Sequence, residues 1–168
     1  FFLPPGKRSV KIWTSLPNAA IDSVPANDTV SALIYACDKP LSGTYTIGVG
    51  EPDFENFNSA AVALAQCGIS GPVRFLVKDG TYNEQVILNK VPGASATNTI
   101  AFESESGDST KVILQYGFLS FNESYVLSLN RAYYYSFNKI TIQALNNTNT
   151  STVRIKGDAA YNTFKNCR

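Results

Sequence analysis

The chain has 168 residues, room for one domain or for a small domain joined to part of another. Its 14 basic and 13 acidic residues are scattered and sum to +1, so no electrostatic footprint for nucleic acid or an anionic membrane is present. Histidine is absent, which removes the commonest general base near neutral pH and the commonest metal ligand. No apolar run approaches the roughly 20 residues that cross a bilayer, so direct membrane insertion is not expected.

Ten Phe and nine Tyr fall in short runs beside β-branched residues, which points to strands. Two alternating stretches come first, Ser9 to Thr14 and Thr29 to Tyr35, joined by a connection rich in Pro, Asn and Asp. Two strands cannot form a stable unit by themselves. They are read as the closing strands of an immunoglobulin-like module over residues 1–38, with the break near Asp38-Lys39-Pro40. Next comes the one convincing helix, about residues 54–66. Asp53 is its expected N-cap, Phe54, Phe57, Ala61, Leu64 and Ala65 form its apolar face, and Gly68 ends it.

Short strands then follow closely, at Val73–Val77, Gln85–Leu88, Thr99–Phe102 and Val112–Leu114, with no crossover helices between them, which fits a coiled sheet or a sandwich. An offset of 27 residues sets Ala132 against Ala159, Tyr134 against Tyr161, Ser136 against Thr163 and Phe137 against Phe164. A period of that size carrying strand motifs is one coil of a solenoid. The expected fold is therefore all-β: the amino-terminal coils of a right-handed parallel β-helix over residues 39–168, capped at their start by the helix. The absence of Met and of a second cap suits a segment of a longer polypeptide.

The three cysteines lack CxxC spacing, which argues against a zinc site or a thioredoxin-like pair. Cys37 and Cys67 are the disulfide candidates if the compartment is oxidising; the alternative is three buried thiols. The 27-residue offset places Cys167 at the position of Ile140, as an unpaired inward residue.

Pro40 to Gly48, Pro52-Asp53-Phe54, Gly68 to Val73, Asp79 to Val86 and Val91-Pro92-Gly93-Ala94, in that order and spacing, resemble the opening of β-helix domains in very large surface proteins of Bacteroidetes-type bacteria. Those domains are similar to pectin lyases in fold. The segment from Trp13 to Thr29 resembles the end of the immunoglobulin-like modules that often precede them. The resemblance implies export by the type IX system, a location outside the outer membrane or free in the medium, and in many cases an adhesin role. The sorting domain such proteins carry is absent from residues 1–168. The resemblance also implies O-glycosylation where Asp is followed by Ser or Thr and then by an apolar residue or Thr, which nominates Ser23, Thr29 and Ser109. For each the alternative is an Asx-type turn made by the preceding Asp. The sequons at Asn27, Asn122, Asn146 and Asn149 are read as polar loop residues.

Polysaccharide-cleaving β-helices use clustered carboxylates, and hydrolysis needs two set roughly 5 to 10 Å apart. Glu84, Glu103, Glu105 and Asp108 are the available ones, but Glu103 to Asp108 has the composition of a solvated turn. No catalytic residue is assigned. Asp53 with Glu51 and Glu55 could ligate calcium, yet the capping role is preferred, and no metal or cofactor is expected. Tyr133 and Tyr135, sent one way by strand alternation, are candidates for stacking on sugar rings, against a core reading for part of the Tyr133-Tyr134-Tyr135 run. Asn130, Asn138, Asn162 and Asn166 are expected at coil corners. The functional expectation is a non-catalytic stalk or adhesin segment whose partners are carbohydrate or another surface or secretion protein. The alternative is a lyase or glycoside hydrolase whose active coils lie beyond residue 168.

Overall fold

The structure, a computed structural model, describes residues 6–13, 29–117, 125–145 and 151–168. β1 (Gly6–Trp13) and β2 (Thr29–Ala36) pair antiparallel from Gly6 opposite Ala36 to Trp13 opposite Thr29, and form a two-stranded sheet of their own. From β3 (Leu41–Ile47) onward every ladder is parallel.

The remaining strands are β4 (Ile69–Val77), β5 (Gly80–Asn83), β6 (Val86–Asn89), β7 (Ile100–Ser104), β8 (Val112–Tyr116), β9 (Tyr125–Asn130), β10 (Tyr135–Asn138), β11 (Thr141–Ala144), β12 (Ser151–Lys156) and β13 (Thr163–Lys165). They assemble into three sheets, ordered β13-β10-β7-β4-β3, β11-β8-β5 and β12-β9-β6. Each coil thus places one strand in each sheet before rising to the next, and the result is a parallel β-solenoid of about four turns.

Register explains the core. Tyr45 lies opposite Phe75, Phe75 opposite Phe102, Phe102 opposite Phe137, and Phe137 opposite Phe164, so one column of aromatic residues runs the length of the largest sheet. The rings of Phe75 and Phe102 stack at 4.8 Å, Phe102 and Phe137 at 5.6 Å, and Phe137 and Phe164 at 4.8 Å. These separations lie in the favoured range for offset aromatic pairs. Beside this column Val73, Ile100 and Tyr135 stack in register, and Leu88 and Leu129 do the same in a second sheet.

The 27-residue offset holds where β10 meets β13, with Ser136 opposite Thr163 and Phe137 opposite Phe164, and where β4 meets β7, with Val73 opposite Ile100. It fails elsewhere: Ile100 pairs with Tyr135 and Val86 with Leu127, because the connections between coils differ in length. Backbone geometry repeats with the same offset. Arg131, Tyr134 and Lys139 have φ of 52°, 62° and 56°, and 27 residues later Asp158, Tyr161 and Asn166 have 62°, 59° and 53°. Left-handed φ costs a side-chain-bearing residue on the order of 1 kcal/mol, so each of these corners is held by its surroundings.

Helix α1 (Phe57–Cys67) begins three residues later than expected, and its cap is Asn56 rather than Asp53. The Asn56 side chain accepts from Ser59 N, and the Ser59 hydroxyl accepts from Asn56 N, a reciprocal capping box. Asp53 instead accepts from the backbone N–H and the hydroxyl of Thr46, at 2.8 and 2.9 Å. Phe54 leaves the helix to bridge Ile47. The buried face of α1 is accordingly Phe57, Ser59, Ala60, Ala63 and Leu64, while Ala65 is exposed. α1 packs against β2, β3 and β6. After it the chain passes so close to a neighbouring coil that a Cβ on Gly93, where φ is +89°, would sit 1.9 Å from the Ile69 carbonyl oxygen. Only glycine fits there.

Candidate functional site

The carboxylates singled out as catalytic candidates are not gathered at one place. Glu84 reaches the start of α1, where its two oxygens accept from Phe57 N at 3.0 Å and Asn58 N at 2.9 Å. The first turn of α1 has no acidic residue of its own, so Glu84 supplies the negative charge its N-terminus favours. Burial pushes the Glu84 carboxyl above the usual carboxylate range, against the opposing pull of those N–H bonds.

Glu103 accepts from Arg74 Nε and Nη2 through a single oxygen, at 3.0 and 2.7 Å, across adjacent strands. The Asp108 carboxylate accepts from Thr110 N and Oγ1, which closes an Asx turn and holds its pKa below the ordinary value. Glu105 lies just past the end of β7, exposed.

A cleft of about 390 Å³ does collect acidic groups: Glu55, Asp79 and Glu84 line it together with Tyr82. Asp79 accepts from Ser106 Oγ and faces Lys111 Nζ at 3.9 Å. The Tyr82 hydroxyl donates to Lys78 O at 2.8 Å, and burial, with the charges of Glu84, Asp79 and Glu105, raises it to about 12. Among the described residues, no group of three or more Asp, Glu, Cys or His is arranged to hold a metal ion.

The tyrosine run is divided differently from the expectation. Tyr134 takes the left-handed conformation, so alternation breaks and β10 starts only at Tyr135. Tyr135 is 1% exposed and donates its hydroxyl to Asn89 O at 2.9 Å. It therefore leaves the list of sugar-contact candidates, and burial raises its pKa well above the ordinary tyrosine value. Tyr133 is half-buried and lines a cleft of about 210 Å³ with Lys90, Val91, Ala94 and Tyr134.

The closest-stacked tyrosines are a pair that the 27-residue offset set against each other but that was not nominated for sugar contact. Tyr134 and Tyr161 occupy the same corner of successive coils with rings 5.0 Å apart and 6° from parallel, and Tyr161 is 72% exposed. Their 27-residue spacing was visible in the sequence; the left-handed φ that both residues adopt was not.

Among the corner asparagines, Asn130 donates to Asn89 Oδ1 at 3.0 Å, one rung of an amide ladder. Asn162 accepts from Tyr135 N and donates to Ala132 O, Asn166 takes the left-handed conformation, and the buried Oδ1 of Asn138 has no partner.

Cys37 and Cys67 form a disulfide with a Cα–Cα distance of 5.5 Å, which ties the end of β2 to the end of α1. Tyr35 packs against Phe54 at that junction, with ring centroids 5.3 Å apart and planes tilted by 31°. Cys167 is free and half-buried against the core, with Phe137 O as a contact of its thiol.

Of the modification candidates, Thr29 is exposed at the first position of β2 and Ser109 is half-buried in the turn before β8, where its carbonyl accepts from the Thr141 hydroxyl. Ser23 lies outside the described residues, as do the sequons at Asn27, Asn122, Asn146 and Asn149. No helix among the described residues is long and apolar enough to cross a membrane. Comparison with protein-family models, curated proteins and solved structures finds no match to this chain.

Proposed function

We propose that the chain is a non-catalytic segment of a large secreted or cell-surface protein, serving as stalk or adhesin. The β-solenoid is its rigid element, and β1 and β2 belong to an immunoglobulin-like module. The carrying observation is the occupation of the carboxylates: Glu84 caps α1, Glu103 pairs with Arg74, and Asp108 closes its own turn. A general acid or base needs a carboxyl free to meet substrate; of the four candidates these three are engaged in structure at separate places, and Glu105 is the one left exposed, just past β7.

A disulfide between Cys37 and Cys67 suits an oxidising exterior. Export by the type IX route and O-glycans on Ser23, Thr29 and Ser109 belong to the same proposal.

The test has two arms. Labelling intact source cells with a membrane-impermeant amine reagent should tag the protein before lysis. Incubation of the purified protein with neutral and acidic polysaccharides should release no new reducing ends and no unsaturated product. Labelling only after lysis, or steady product release, overturns the proposal.

A further inference from the structure

β5 is the edge strand of the β11-β8-β5 sheet, paired with β8 alone. In that parallel ladder Gly80 N donates to Lys111 O at 2.8 Å and Glu84 N to Gln115 O at 2.9 Å. The alternate residues Thr81 and Asn83 therefore turn their backbone N–H and C=O groups the other way. Among the described residues those groups have no hydrogen-bond partner, and both residues are exposed.

The edge is open for a reason internal to the chain. The coil before β5 contributes β3 to the largest sheet, but no strand follows it where β5 would find a partner. Residues 48–56 turn there instead, with Gly48 N donating to Phe54 O at 3.0 Å, and the chain then enters α1. The cleft of about 390 Å³ lies between the two, lined by Val49, Glu55 and Asn56 from the turn and by residues 79–84 along β5. Its size falls within the range of about 300 to 1,000 Å³ that is usual for ligand clefts.

Glu55, Asp79 and Glu84 line the cleft, and among the described residues no Lys or Arg does. The lysine at its margin, Lys78, is tied to the turn by donating to Val49 O at 3.1 Å. Glu84 is turned to the start of α1, so Glu55 and Asp79, both exposed, present the negative charge to solvent. Val49, 79% exposed, adds an apolar contact.

An unpaired strand edge is a template for a further strand, with main-chain hydrogen bonds giving affinity and alternate side chains giving specificity. We propose that this cleft takes an extended, basic peptide segment of a partner protein, added to β5 as the fourth strand of its sheet. The peptide backbone bonds Thr81 and Asn83, and its Lys or Arg side chains meet Glu55 and Asp79. An acidic segment would find the same backbone groups but face like charge. The inference deepens the adhesin reading by giving the chemistry of the partner, and rests on it.

The experiment is fluorescence anisotropy of labelled peptides titrated with the purified protein. The probes are a short peptide of alternating Lys and Val, the same peptide methylated at every backbone nitrogen, and one of alternating Glu and Val. Methylation keeps the charge and removes the donors. The proteins are wild type, T81P and E55Q/D79N. Proline is tolerated on an edge strand where its nitrogen faces away from the ladder, so T81P removes one open donor and leaves the pairing with β8. Circular dichroism with thermal unfolding confirms that each variant is folded, and if T81P is not, the methylated peptide and E55Q/D79N decide without it.

The expected result is binding of the Lys–Val peptide alone among the three. T81P should weaken it about tenfold, as for loss of one hydrogen bond and crowding of the edge. E55Q/D79N should weaken it about fivefold, as for two exposed ion pairs. Equal binding of the methylated or the Glu–Val peptide overturns the proposal, as does binding that neither variant weakens. Dimerisation of the protein without peptide, abolished by T81P, overturns it in favour of a second copy of this chain. No binding of the Lys–Val peptide removes the cleft site but leaves the non-catalytic stalk standing. Binding accompanied by cleavage of the peptide keeps the cleft site and removes the non-catalytic reading.

Discussion

Phe102 sits at the centre of the aromatic column, fully buried, with Phe75 and Phe57 on one side and Phe137 on the other. Truncation to Ala removes a ring enclosed on all sides by a rigid stack, so the cavity collapses poorly and the loss should fall at about 4 kcal/mol. Phe164, on β13, is 37% exposed and among the described residues stacks on Phe137 alone. The same truncation there opens no enclosed cavity and forfeits part of one ring contact, about 1 kcal/mol.

With a urea slope of about 2 kcal/mol/M, F102A should lower the midpoint by about 2 M and F164A by about 0.5 M, with the slope itself unchanged. Equilibrium urea unfolding followed by circular dichroism reads both. Equal shifts for the two variants, or an F102A shift below about 0.5 M, would refute the claim that in-register stacking of this column holds the coils together.

The double variant C37S/C67S should lose about 3.5 kcal/mol, the loop-closure value for a 30-residue separation, in the same urea assay. E84A strands Phe57 N and Asn58 N at a partly buried helix start and should cost about 2 kcal/mol, with hydrogen exchange at those two amides speeding up before the rest of α1. Tyr82 titrates near 10 when unfolded and at about 12 when folded, so its contribution is fully present below pH 10 and is lost as pH rises through 12. Urea midpoints measured from pH 9 to 12 should therefore fall more steeply for wild type than for Y82F.

Fold class was legible because two signals were strong. Short strands such as Val73 to Val77 followed one another closely, and the missing crossover helices left a solenoid or a sandwich. The 27-residue offset chose between them, yet it was readable only where connections are equal in length. Across the connection from β6 to β9, where Val86 meets Leu127, no constant period exists to be found. For that reason Tyr45, Phe75, Phe102 and Phe137 could not be recognised as one column from sequence alone.

Helix capping was misassigned because Asp53 and Asn56 are both good caps; what decided it was the Thr46 hydroxyl claiming Asp53 from a separate strand. The tyrosine run failed for a related reason. Alternation presumes extended backbone, and Tyr134 is held at φ 62° by coil-to-coil packing. Tyr135 was thereby turned inward, while Tyr161, not picked out as a sugar contact, became the exposed ring. Long-range partners, which local pattern does not encode, account for each of these differences.

The most direct test of the account as a whole is peptide mass spectrometry of protein taken from its native source, alkylated before reduction. An exported rod of the kind proposed predicts a Cys37–Cys67 linked peptide, an alkylated Cys167, and hexose-bearing masses on peptides containing Ser23, Thr29 or Ser109. Alkylated Cys37 and Cys67 together with bare peptides at all three positions would contradict it.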